Sequence, residues 1–262
     1  MFGFFIKKNF YDGWDNLFNL VVVNVVFLVS GFLFLGIAFC FASFPLVVIP
    51  LLFLLAALFG VFCLAYGETA FCIAGFRTPR IADFFKAIPR SIKDGALFGL
   101  LCSVIGTVSL LGIRFYLTQV QSVYGFLLAA TLFWLDVIFI LSLQWFVAIR
   151  SIMKNDFKKC LKKCFLIFFD NTGFSIEMAV HNLFLLCFSF VCMGFIPSFS
   201  GIVLAQVNAL RLRLYKYDYL EAHPELSESK SRKSIPWEEL IYEDRENLGP
   251  RTLKQLFFPW KN

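Results

Sequence analysis

Arg114, Asp136, Glu177 and His181 lie inside long apolar runs of this 262-residue chain. An ionisable side chain at membrane depth costs about 2.5–3.5 kcal/mol on insertion scales, so each is a candidate for function. Asp136 and Gln144 stand close to one helical face, and Glu177 and His181 form an i, i+4 pair. At 1.5 Å per residue, Gln144 and Glu177 fall about 7 Å from one end of their runs, with His181 at about 14 Å and Asp136 at about 20 Å. On neighbouring helices, a carboxylate–imidazole chain through the inner half of the bundle would relay protons or hold a polar substrate. The other open reading has Glu177 snorkelling to the interface and His181 as a neutral, hydrogen-bonded core residue. Asp136 is then protonated or paired with Arg114, whose own head reaches lipid headgroups. Asn24, Gln206 and Asn208 are read as cross-links between helices.

A catalytic set is not recognisable. The sequence has no GxSxG, HExxH, P-loop or GxGxxG pattern, which argues against an enzyme and against self-powered transport through a P-loop fold. The eight cysteines form no CxxC pair and no set of metal-binding spacing, so neither a metal nor a cofactor is expected. Small buried hydrophobes are the simpler reading, with modification of Cys160 and Cys164, which share a helix face, as the alternative.

The elements that must position these residues follow from hydropathy. With 59% hydrophobic and only 16% charged residues, the chain is outside the range of soluble domains, which have about 25% charged. Its apolar sequence divides into six spans at 17–43, 46–66, 95–117, 124–149, 173–195 and 197–215, each close to the roughly 20 residues a bilayer requires. The first run is too long for a cleavable signal and is read as retained. Of 24 Lys and Arg, all but Arg114 fall on one side of this arrangement. The positive-inside rule then places both termini and the loops 67–94 and 150–172 in the cytoplasm. A net charge of +6 distributed beside apolar spans suits anionic inner-leaflet lipid rather than nucleic acid.

The two long loops are patterned. Ile81, Phe84, Phe85, Ile88 and Ile92 recur at helical spacing among basic residues, as do Met153, Phe157, Leu161, Cys164, Phe165 and Phe168. Each predicts an amphipathic interfacial helix, the first kinked or ended by Pro89. The segments Asp83-Phe84-Phe85-Lys86 and Asp156-Phe157-Lys158-Lys159 resemble each other, and each runs through a second acid, Asp94 or Asp170, toward a glycine. Duplication and convergence of two interfacial helices both account for this. Gly95, Gly99, Ser103 and Thr107 on the third span, and Gly201, Ala205 and Ala209 on the sixth, form small-residue stripes that let helices approach closely.

Residues 1–16 are expected at the interface and residues 216–262 as a cytoplasmic tail. Nine acidic residues fall between Asp218 and Glu246, offsetting the basic face locally. Ser234 and Pro236 suit the start of a short helix carrying Trp237, ended by Gly249-Pro250. Leu253, Leu256, Phe257, Phe258 and Trp260 are too apolar for a free tail and too few to span. They are expected to dock, on the protein itself, on the membrane surface or on a partner such as a transporter subunit or cytoplasmic protein.

The order of features, with Asn24 in the first span, Asp83 to Ala87 before the third, Phe157 to Phe174 before the fifth and Phe195-Ile196-Pro197 before the last, resembles the YesL-like family of bacterial integral membrane proteins. This chain lacks the Pro and Thr-x-Gly pattern usual after that family's first span, and its tail is additional. The resemblance implies a multi-pass bacterial inner-membrane protein with an accessory link to carbohydrate uptake, and it carries over no site residue. The alternative is a small proton-coupled carrier using Asp136, Glu177 and His181.

Overall fold

The computed structural model describes residues 1–120, 122–224 and 235–251, and among these every regular element is helical. The order is α1 (Phe2–Asp15), α2 (Leu17–Cys40), α3 (Pro45–Ala74), α4 (Ile81–Thr118), α5 (Val123–Leu143), α6 (Phe146–Met153), α7 (Phe157–Asp170), α8 (Thr172–Val191), α9 (Ser198–Ala222), α10 (Trp237–Leu240) and α11 (Tyr242–Leu248). Five stretches are long and apolar enough to cross a bilayer: α2, α3, α4, α5 continued into α6, and α8. By length and composition this is a multi-pass membrane chain. Large apolar side chains such as Phe32, Leu46 and Phe190 project outward from these helices, as suits surfaces solvated by hydrocarbon.

Helix α9 occupies the centre and touches α1, α2, α3, α6 and α8. Its Ala205, Val207, Ala209, Leu210 and Leu212 are fully buried. Enclosure explains its composition. A helix surrounded by protein gains from small residues and tolerates polar ones with partners, so it lacks the hydropathy of its neighbours.

The most extensive pairing joins α3 and α4. Phe84, Ala87, Ser91, Gly95 and Gly99 are all buried and repeat every three or four residues, which makes one continuous contact stripe. Of the two expectations at Pro89, a kink or an end, the end is overturned. The predicted amphipathic helix and the third span are a single 38-residue helix, because the stripe runs uninterrupted past an exposed proline. The likeness of the two patterned loops ends there, since α7 is separated from α8 at Asn171.

The expected span 124–149 is likewise revised. Helix α5 ends at Leu143 and α6 starts at Phe146, with Gln144 and Trp145 at the turn. Gln144 Nε2 donates to the Leu141 and Ser175 carbonyls at 3.0 and 2.9 Å, and Trp145 Nε1 donates to Ser175 Oγ at 3.0 Å. Two successive side chains thus reach across to α8 where the helix is interrupted. Helix α7 buries Cys160, Cys164, Ile167 and Phe168, so its apolar face lies against protein.

Candidate functional site

A cleft of about 910 Å3 lies along α4 and α5, with Cys63 of α3, Val147 of α6 and Phe199, Val203 and Gln206 of α9 on its inner wall. It brings together three of the predicted polar residues, Arg114, Asp136 and Gln144. The spacing of α4 places Ser109 and Arg114 along it, and Ser109 donates a hydrogen bond to Asp136 Oδ1 of α5. No ion pair joins Arg114 to Asp136 among the described residues, and Arg114 is exposed. Gln206 Oε1 is buried without a partner on the same wall. The wall is otherwise largely apolar, and the chemistry on offer is binding of a largely apolar partner with a few polar anchors.

The remaining predicted members lie elsewhere. His181 is buried on the side of α8 facing α1, its Nε2 accepting from Asn9 Nδ2 at 3.1 Å and its ring edge-on to Phe5. Asn9 Oδ1 in turn accepts from Asn208 Nδ2 at 3.4 Å, and Asn208 also donates to Asp12 Oδ2 at 3.0 Å. Lys8 completes this chain with a 3.0 Å ion pair to Asp12 and lies 3.6 Å from the Phe76 ring centroid. Glu177 is exposed and lines a separate polar pocket. Among the described residues, no hydrogen bond or ion pair connects Asp136 with Glu177 or His181, so the expected relay is not assembled. One turn of separation between Glu177 and His181 is enough for one to reach the open surface and the other to face α1.

Lys8, Asn9 and Asp12 were not singled out from sequence. The signal was present: Phe5, Lys8 and Asp12 fall at i, i+3 and i, i+4 steps on one face of α1. Both ions are buried against α9, so residues 1–16 dock on the bundle rather than only resting in the interface. Burial pulls the Lys8 ammonium below its usual range and pushes the Asp12 carboxyl above its own.

The small-residue stripe of α4 is half used. A side-chain carbon on Gly99 would meet the Ala56 carbonyl at 2.0 Å, and one on Gly95 would meet Val61 Cα at 2.5 Å, so both glycines are in backbone contact with α3. Ser103 Oγ bonds its own helix at the Leu100 carbonyl, and Thr107 is exposed. On α9, Gly201 abuts Pro197 of the preceding turn, while Ala205 and Ala209 are fully buried in the bundle.

Asn24 fulfils the cross-linking role, donating to the Phe195 and Pro197 carbonyls and accepting from the Ser200 amide. Of the tail residues, Trp237 faces the Arg213 guanidinium at 5.4 Å, while Ser234, Leu253, Leu256, Phe257, Phe258 and Trp260 lie outside the described residues. The described tail docks through residues not predicted. Ile241 and Leu248 are buried, and Asp244 pairs with Arg211 at 3.0 Å and accepts from the Tyr215 hydroxyl. No family model, no curated protein and no solved structure matches this chain.

Proposed function

We propose that the chain is a six-span inner-membrane protein with α9 as its enclosed sixth span and its basic end in the cytoplasm. In this reading it is an accessory or regulatory component that packs on a transport system, and the family resemblance suggests carbohydrate uptake. Helix α7 and the first turns of α4 then lie at the inner interface, with Lys158, Lys159 and Lys162 exposed toward anionic headgroups.

The observation that carries the accessory role is the lateral cleft along α4 and α5. It is elongated and mostly apolar, with the unused Thr107 end of the small-residue stripe on the same helix, which suits the flank of a partner's transmembrane helix. Purification of the full chain in mild detergent is expected to retain a multi-pass partner. Ile105→Trp, which fills the cleft, is expected to release that partner while the protein stays folded. Retention of the same partners by this variant rejects the assignment of the cleft.

Asp136 favours a second reading. A carboxylate at membrane depth, hydrogen-bonded to Ser109 in a roomy cleft, suits a proton-coupled carrier in which Asp136 acts without Glu177 or His181. Reconstituted proton flux that is lost in Asp136→Asn would favour the carrier, and a protein that supports no flux returns the choice to the accessory role.

A further inference from the structure

We propose that the junction of α8, α9 and the tail is a binding site for a phosphate ester, built on Arg213. A polar cavity of about 400 Å3 opens there among Asn171, Gly173, Glu177, Arg213, Lys216 and Trp237. Arg213 is 8% exposed, so its guanidinium is enclosed. Among the described residues it makes no hydrogen bond or ion pair, and its Nε is buried without an acceptor. Among the described residues, the Phe174 ring at 3.8 Å and the Trp237 ring at 5.4 Å flank it, and the Glu177 and Asp170 carboxylates act on it through space without bonding to it.

Four other buried or half-buried cations of the described bundle are matched. Lys8 pairs with Asp12, Arg150 with Asp94, Arg211 with Asp244 and Lys216 with Asp170. An enclosed guanidinium with no bonded acceptor is costly unless something anionic reaches it, and its planar donors suit phosphate oxygens. The second feature is the start of α8. Helix α8 has no side-chain cap, so the amides of its first turn and its dipole favour an anion at the mouth of the same cavity. A side-chain carbon on Gly173 would meet nothing within 4 Å, which leaves room for one.

Two carboxylates border the cavity and define the ligand further. Asp170 is occupied by Lys216 at 2.8 Å and by the Tyr217 hydroxyl at 2.9 Å. Glu177 is exposed at the rim, one turn along α8 from the helix start. A phosphate at Arg213 and an ammonium at Glu177, beside Trp237, would satisfy both charges, so the preferred ligand is a zwitterionic phosphate ester such as a phosphoethanolamine group. It reaches the site either as a lipid headgroup or as a soluble ester. Because Ile235 and Trp237 belong to the tail and line the cavity, occupancy also holds the tail against the bundle. The inference stands apart from the accessory role, which concerns the cleft along α4 and α5, lined by other residues.

The full chain in detergent is titrated with inorganic phosphate and with phosphoethanolamine against chloride at constant ionic strength. Thermal midpoint and proteolysis of the tail are read together. In a second arm, the chain in nanodiscs with and without phosphatidylethanolamine is ejected for native mass spectrometry, and retained headgroups are counted. A saturable rise in midpoint with slower tail cleavage assigns the soluble ester, and selective lipid retention without that response assigns the headgroup. In either arm Arg213→Gln is expected to weaken binding by about tenfold or more. Glu177→Gln is expected to abolish the preference for phosphoethanolamine over phosphate. Equal behaviour of the wild-type protein in chloride and in both esters, with no selective lipid retention, overturns the proposal. That comparison needs no variant, so it holds even if Arg213→Gln does not fold.

Discussion

Lys8 and Asp12 sit 0% and 5% exposed at the contact of α1 with α9, and their worth depends on staying together. Removing one partner of a buried pair leaves an uncompensated charge and costs about 3–5 kcal/mol, whereas replacing both with apolar groups is often neutral. Lys8→Met is therefore expected to lower the thermal midpoint in detergent strongly, and Lys8→Met with Asp12→Leu to recover most of the loss. An additive double variant would show that the pair is not coupled. A pH dependence belongs to Tyr217, where burial and the adjacent Asp170 carboxylate hold the hydroxyl above its ordinary value. A folded-state value above the unfolded one gives stability that is intact below about pH 10 and lost as pH rises through the folded value. Alkaline melting curves should accordingly flatten in Tyr217→Phe. Burial also pushes the Cys160 and Cys164 thiols up, so maleimide at neutral pH should label both only after unfolding. Rapid labelling of the native protein would restore the case for their modification.

Helix α4 shows how packing separates residues that look alike in sequence. Gly99 and Gly106 are both glycines of one apolar helix, yet a side-chain carbon meets backbone at 2.0 Å on the first and nothing within 4 Å on the second. Gly99→Ala should cost about 1–3 kcal/mol by forcing α3 and α4 apart, and Gly106→Ala should lie within about 0.5 kcal/mol of wild type. Thermal unfolding of the two variants side by side checks the contrast, and equal midpoints would remove the assigned interface. The stripe carrying Gly95 and Gly99 was legible because small-residue spacing is a local property. Its partners Gly60, Ala56 and Ala57 were not, since pairing of two helices depends on their rotation about each other. Gln144 illustrates the same limit. It stands out in the sequence as a polar residue in an apolar run, but its bond to the Ser175 carbonyl, beside the break between α5 and α6, depends on where α8 stands. The grouping of Asp136 with Glu177 and His181 failed for that reason: depth along an axis says nothing of azimuth around the bundle.

For the whole molecule, hydropathy made the long apolar helices legible, while the docking of the tail depended on Asp244 meeting Arg211 across 33 positions of chain. Asp244→Ala leaves Arg211 without that partner and should release residues from Trp237 onward. Limited proteolysis is expected to cut the variant tail at least several times faster than wild type, with the bundle itself intact. Unchanged cleavage would mean that Ile241 and Leu248 suffice to hold it. The long-range bonds also bear on how the chain is made. Asp12 waits for Asn208, 196 residues later, and Asn24 waits for the Ser200 amide, 176 residues later. At about 5–20 residues per second, synthesis of the intervening chain takes roughly 10–40 s. During that interval the first two helices carry polar groups without their final partners, so α9 acts as the closing element and a ribosome stalled before it leaves an unfinished bundle exposed to quality control.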